Sequence, residues 1–548
     1  TVMGWKAGYY NTSGNDNTLL GINAGHNLTS GGANVAVGSY AMAQQTTAAA
    51  NVAVGRNALY ANVSGGSNVA IGDQALNAAT SSYNTAVGYY SALNTAGGNA
   101  NTTVGFQTLL VNTTGGDNTA VGFQSLYYNT ASYNTGLGNL ALHNNSTGSH
   151  NTGVGDTAGH GNTTGLYNVY LGHASAKLRP SGNHSVFIGY EAGYNAGTGN
   201  DNTVVGSQAG RDLAAGTRNT LMGYDCGANL TSGNDNIAIG KSAMFTQTTA
   251  SDNVVVGQNA LYYNVDTTGN TAIGDHALHS STVGLNTALG YQTALNDTTG
   301  TENVFIGYKV GTQRTGGSEN VIIGSNANGI GIGTGSHNTV LGRYAGSVLT
   351  SGHGNTYIGH QSGIATTTGI RNTGVGKSTL DSIIDGTGND ALGWYTGDEV
   401  TTGSNNLMLG NAAGSGSGPS GAITTGSNII CLGNNNHTSA YIKISLTVTS
   451  DKRDKTEFKD VPHGLDFVSK LKPTSYRFRK NRDTDETSGR ERYGFLAQDV
   501  IKLEGNNPVI IDDSLKENLR YNESSMIPVL VKAIQELKAE IEELKSKK

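Results

Sequence analysis

Tyr89, Phe106 and Phe123 each directly follow a glycine and stand 17 residues apart. Held on successive turns of a coil, three such rings make a ladder that either stacks on the sugar rings of a surface glycan or packs ring on ring. Few other residues offer chemistry. The 13 histidines show no recurring ligand spacing, so no metal site is expected. Acidic residues are sparse before residue 450, and no pair of them stands out as the acid and base of a glycosidase. Cys226 and Cys431 are the two cysteines. In a regular stack they lie about twelve rungs apart, roughly 55 Å, which excludes a disulfide needing Cα atoms within about 7 Å. Gly329-Ile-Gly-Ile-Gly333 has no helix signal after it and is not a nucleotide loop. Triplets such as Asn27-Leu-Thr29 and Asn112-Thr-Thr114 follow from a turn-rich composition rather than from glycosylation. No cofactor is expected.

These residues are positioned by a repeat. Aligned on Asn-[Thr/Val]-x-[Val/Ile/Leu]-Gly, the closing glycines run Gly21, Gly38, Gly55, Gly72, Gly88, Gly105 and so on to Gly410, with Gly433 after a longer insertion. Nearly every step is 17 residues, and a fixed period of about 20 residues over this length means a solenoid. The large aliphatic residue before each glycine (Val37, Val54, Ile71, Val87) and the small one three places after it (Ala24, Ala41, Ala58, Ser91) are both expected inside, carried by two short strands per rung. Segments such as Thr113-Thr114-Gly115-Gly116 supply turns. The fixed Asn is expected to form a side-chain ladder that satisfies turn amides. Roughly 25 rungs about 4.8 Å apart would make a rod on the order of 120 Å long.

Composition agrees. The chain has 80 Gly, 6 Pro and 13% charged residues, against roughly a quarter charged in ordinary domains. A net charge of −6 argues against nucleic acid as a partner. The sequence has no apolar run of about 18 residues, so no membrane insertion is expected. The first residues, Thr1-Val-Met-Gly4, match the repeat without its Asn, and the expectation is that an N-terminal attachment region is missing.

Segments such as Asn34-Val-Ala-Val-Gly38-Ser-Tyr-Ala41 resemble the head repeats of trimeric autotransporter adhesins over residues 1–436, though the period here is longer. The resemblance implies a homotrimer of parallel β-rolls. Residues 437–449, including Tyr441-Ile-Lys-Ile-Ser-Leu-Thr-Val-Thr449, read as a connecting strand.

Charge rises abruptly at residue 450. From there Ser450-Asp451-x-Arg453-x-Lys455, Leu471-Lys-Pro473-Thr-Ser-Tyr476, Tyr493-Gly494-Phe-Leu-Ala-Gln498-Asp-Val500, Tyr521 and Ala533-Ile-Gln-Glu-Leu537 resemble the intramolecular chaperone of endosialidase-type phage tail spikes, a self-cleaving family. The resemblance implies that residues 450–548 drive trimerisation and folding of the upstream fibre, then cut the bond between Thr449 and Ser450. By the same resemblance Ser450 is the nucleophile and Lys455 the base, with Asp451, Arg453 and Gln498 in support. Lys455 accepts a proton only when neutral, which calls for burial or positive neighbours such as Arg453. Asp454, where many relatives carry an apolar residue, would oppose this, so a permanently attached cap is the competing expectation.

Ile527, Leu530, Ile534, Leu537, Ile541 and Leu544 alternate spacings of three and four, the seam of a coiled coil over 525–548. A single amphipathic helix packed on its own domain would show the same pattern. The fold class expected is therefore a mostly β parallel solenoid followed by a small α+β domain ending in a coiled-coil helix. The function expected is a viral tail fibre, located on the virion and extracellular, that binds a host glycan or protein receptor and joins other tail proteins through its missing N-terminal region. A bacterial surface adhesin and a glycan-degrading spike are the alternatives. Ice binding through threonine ladders fits poorly because Val replaces Thr at many equivalent places.

Overall fold

The computed structural model describes the chain except residues 265, 417, 419, 438, 439, 442, 444–448, 480–483, 515, 517 and 518. The chain forms two compact units, Thr1–Asn355 and Thr356–Lys548. The first is a parallel β-solenoid with one short strand per rung, from Val2–Met3 to Thr339–Leu341. The second begins with five strands of the same kind, Thr356–Ile358 to Ile430–Leu432, and ends in the C-terminal domain. Most of the connecting segment 437–449 lies outside the described residues.

From Thr18–Leu20 on, each solenoid strand is three residues long, and within a unit it pairs in parallel with the next rung, Val35 with Val52, Ala36 with Ala53 and Val37 with Val54. Alternation then decides what is inside. The central residue is buried in each of these strands (Ala36, Ala53, Ala70, Ala86), and its two neighbours face out. This corrects the placement expected for the residue before the glycine: Val37 and Val54 are partly exposed, and Ile71 is 39% exposed. The small residue three places after the glycine is buried as expected (Ala24, Ala41, Ala58, Ser91).

Among the described residues the second strand expected in each rung is absent. After the glycine the backbone enters the left-handed region at alternate residues, as at Tyr40 (φ 60°) and Met42 (φ 52°) or Asn57 (φ 54°) and Leu59 (φ 51°). Such a path cannot pair as a strand and runs as a chain of turns. The glycine itself is fixed by close approach: Gly21 has φ 136°, and an added Cβ would lie 2.5 Å from the carbonyl oxygen of Gly38 on the next rung.

The narrow core is filled by complementary volumes. In many rungs where the central strand residue is small, the residue six places on is large: Ala53 with Leu59, Ala70 with Leu76, Ala272 with Leu278. In many where it is large, that place is glycine: Leu19 with Gly25, Phe187 with Gly193, Leu221 with Gly227, Phe305 with Gly311. Elsewhere the space is shared between rungs, as at Gly153 and Gly159, where Tyr170 of the next rung lies against Gly159.

The asparagines form the expected internal column. The Asn34 amide donates to Asn17 Oδ1 (2.9 Å), Asn51 to Asn34 (3.0 Å) and Asn68 to Asn51 (2.9 Å). Each Nδ2 also donates to a turn carbonyl, Asn34 to Ala48 (3.0 Å) and Asn51 to Gly65 (3.0 Å). These asparagines are fully buried, so every bond replaces one that water would have made.

Ser185 interrupts the column, and a buried arginine compensates. Neighbouring asparagines serve the turn carbonyls of Gly182 and Gly216 at 2.8 Å. The equivalent carbonyl above Ser185, Gly199, instead receives Arg179 Nη2 at 2.7 Å. Ser185 Oγ accepts from Arg179 Nη2 (3.1 Å) and from the Asn202 amide (3.2 Å). The guanidinium lies 5.0 Å from the Phe187 ring. Replacing Arg179 by Leu, the residue at the same place in the rungs of Leu213 and Leu230, leaves the Gly199 carbonyl without its donor. The expected loss is about 1–3 kcal/mol. Adding Ser185→Asn should recover most of it, read as restored amide protection in rungs 169–202.

Candidate functional site in the C-terminal domain

The C-terminal domain is small and layered. Helix α1 (Leu465–Lys470) precedes an antiparallel hairpin, Thr474–Arg479 with Thr487–Gly494. Helix α2 (Ala497–Glu504), a short strand pair (Ile511–Asp512 with Arg520–Tyr521) and helix α3 (Glu523–Ser546) follow. Phe467, Val500, Ile510, Ile511, Met526 and Val529 make its core. Two carboxylates that sequence reasoning missed lock the parts together. Glu536 of α3 accepts the Leu465 amide at the start of α1 (2.6 Å), and Glu504 accepts the amides of Val509, Ile510 and Ile511 (2.8, 2.6 and 2.9 Å). No sequence signal marks Glu536, because its partner lies 71 residues away.

At the head of this domain the chain makes one tight turn. Asp451 caps a single 3₁₀ turn, Lys452–Asp454, by accepting the Arg453 amide (2.8 Å). The Arg453 guanidinium forks onto the same carboxylate, with Nη2 at 2.6 Å and Nε at 3.1 Å. This pairing holds the Asp451 carboxyl below the usual carboxylate range. The turn folds the chain back so that Lys455 Nζ donates to Ser450 Oγ at 2.6 Å. An amine at that distance is within reach of the hydroxyl proton.

Arg453 spends its charge on Asp451, so its primary role here is to shape the turn. Among the described residues Asp454 forms no ion pair with Lys455; its amide donates to the Asp451 carbonyl (3.1 Å). Gln498 is exposed on the first turn of α2 and, among the described residues, makes no hydrogen bond to Ser450 or Lys455. Thr449, Ser450 and Lys455 are all open to solvent in the single chain.

Helix α3 has two apolar faces. Met526, Val529 and Ala533 are buried in the domain, whereas Ile527, Leu530, Ile534, Leu537, Ile541 and Leu544 are exposed. The seam seen in the sequence is therefore not the face that packs on the helix's own domain.

Residues 450–507 match the peptidase S74 family, chaperone of endosialidase. The match supports a C-terminal chaperone domain. The match begins at Ser450 itself and takes in the Ser450–Lys455 turn, α1, the hairpin and α2; α3 follows it. This chaperone domain fits a role in trimer formation and a place on an extracellular or virion surface. No curated protein matches the chain. Among the described residues no helix is long and apolar enough to cross a membrane.

The aromatic ladder stands in the solenoid. Tyr89 stacks on Phe106 at 5.5 Å and Phe106 on Phe123 at 5.3 Å, with planes within 11°. Both faces of Phe106 are thus covered, and a ligand meets ring edges. Two further stacks went unnoticed in the sequence: Tyr133–His150–Tyr167–His184 at 4.8, 4.6 and 5.3 Å, and Tyr127–His143–His160 at 5.2 Å per step. They occupy places five before and five after the closing glycine, and the same 17-residue alignment would have found them.

Proposed function

We propose that this chain is a homotrimeric tail fibre that projects from a virion and binds a host surface, built by its C-terminal chaperone domain. The observation that carries this reading is the Ser450–Lys455 contact at the first residue of the chaperone match, directly after the solenoid and its connector. Assembly is expected to run from the domain's exposed α3 seam, which gives three copies a coiled-coil contact. Trimer contacts then bury the Ser450–Lys455 turn and favour the neutral amine.

Ser450 Oγ attacks the carbonyl carbon of Thr449 while Lys455 takes the hydroxyl proton. Collapse of the adduct breaks the Thr449–Ser450 amide bond, forms an ester and passes the proton to the freed Ser450 amine. Water hydrolyses the ester, leaving a Thr449 carboxylate and the Ser450 hydroxyl. Each chain does this once, so the reaction is a release step rather than turnover. Asp451 and Arg453 hold the turn; Gln498 would contribute only after rearrangement or from a neighbouring copy.

Tyr89, Phe106 and Phe123 are proposed as a glycan contact through their ring edges, since Tyr89 stacks on Tyr90 as well as on Phe106. Purified fibre incubated with host capsule or lipopolysaccharide should bind without releasing sugar. Released sugar would favour the glycan-degrading reading instead. A tail-attachment segment in the same protein would support the tail fibre, and a secretion signal with an outer-membrane anchor would support a bacterial surface adhesin.

A further inference from the structure

The residue before each closing glycine is a large aliphatic, yet it faces out: Ile71, Leu137 and Leu341 are 39%, 45% and 42% exposed. It shares the outward face with the first strand residue, which is Val, Ile or Thr in the solenoid unit Thr1–Asn355. None of the 20 strands from Thr18–Leu20 to Thr339–Leu341 carries a charged residue. The columns to either side differ. Arg56, Asp73, Asp156 and Lys241 stand just after the glycine, and Asp117, Arg218, Asp235 and Asp252 five places before it. Charge is thus accepted on the columns flanking the strand face and is missing from the face itself; another charge-free column, eight places after the glycine, is mostly small and polar (Thr29, Thr46, Thr80) rather than aliphatic. An apolar stripe of this length exceeds the few hundred Å² that a monomer ordinarily exposes.

We infer that this strand face is the surface along which copies of the solenoid meet, parallel and rung against like rung. The inference rests on the homotrimer reading above and names the surface that reading leaves open. The choice of a second copy as occupant follows from the repeat. The stripe presents one outward aliphatic residue per rung, every ~4.8 Å along the stack. A partner lacking that period could match only a few rungs. Another copy in parallel register presents the same period over the whole length, and the absence of charge means that no like charges are forced together at any level. The three-residue strand thereby serves two interiors: its central residue fills the solenoid core, and its flanking residues fill the seam between copies.

Single-cysteine variants of the full-length chain test this. Val121→Cys and Val256→Cys lie on the strand face, and Tyr167→Cys on the column five before the glycine. Cys226 and Cys431 are buried, and the unsubstituted chain serves as the blank. With a short bis-maleimide, the two strand-face variants should give several-fold more covalent dimer than Tyr167→Cys. Trimers by native mass that cross-link at Tyr167→Cys and not at the strand face would overturn the surface assignment while leaving the homotrimer standing. Monomers by native mass would overturn the homotrimer and this inference with it.

Discussion

Ser450→Ala leaves the chain at its full 56.5 kDa, whereas the unsubstituted chain ends at Thr449 and sheds a fragment of about 11 kDa, the mass of roughly 99 residues. Intact mass after expression reads this as an all-or-none difference. The physical basis is the single contact at 2.6 Å between the serine hydroxyl and the Lys455 amine. No other nucleophile flanks the same peptide bond in the required geometry, since the serine attacks the carbonyl of the residue just before it. Lys455→Ala should slow release by roughly 10²–10⁴, the usual contribution of a positioned general base. Arg453→Ala should act more weakly and through the turn, because the guanidinium is bound to Asp451 rather than directed at Lys455. Ser450→Ala should remain trimeric, which separates lost chemistry from lost folding. If serine and alanine versions both keep full mass, the cap stays attached and the cleavage assignment is wrong.

The second large effect lies in the solenoid core. Gly193→Leu should unfold its own rung and those beside it, because its Cβ would enter the Phe187 ring. Backbone strain is not the cause. Gly193 sits at φ 60°, and native leucines hold the same left-handed place at Leu59 (φ 51°) and Leu76 (φ 49°). The cost is volume, at least about 3 kcal/mol for a side chain forced into a filled interior. Phe187→Ala alone should cost about 3–5 kcal/mol through the cavity it leaves. Together the two changes rebuild the Ala53–Leu59 arrangement, so the double variant should approach the stability of the unsubstituted chain. A double-mutant cycle would then show a coupling of several kcal/mol. Because rungs contact only their neighbours, the loss is best read as amide exchange around residues 186–210 rather than as one global transition. Additive losses would mean that the two side chains do not share one space.

Much of this architecture is legible in the residues. The spacing of Gly21, Gly38 and Gly55 demands a stack, and the buried Asn column follows from one polar side chain recurring at one depth. What period alone does not specify is facing. Val37 and Ala36 are both apolar, and in a three-residue strand either register buries an apolar residue. In these rungs Met42 and Leu59 already fill the core, so alanine goes in and valine goes out, and only packing reveals that choice. The size exchange between Phe187 and Gly193 was present in the letters but needed two columns to be compared at once. The Ser450–Lys455 contact lies five residues apart and was expected from resemblance; the pairing of Arg453 with Asp451 was not, because it depends on the 3₁₀ turn between them.

Residues 450–548 are proposed to build the solenoid as a trimer. Native mass spectrometry of the chain expressed with and without those residues tests it most directly. With them, the soluble product should be three copies, each full length or ending at Thr449. Without them, the solenoid should be recovered mainly as aggregate. A soluble, well-ordered monomer from either version would contradict the account.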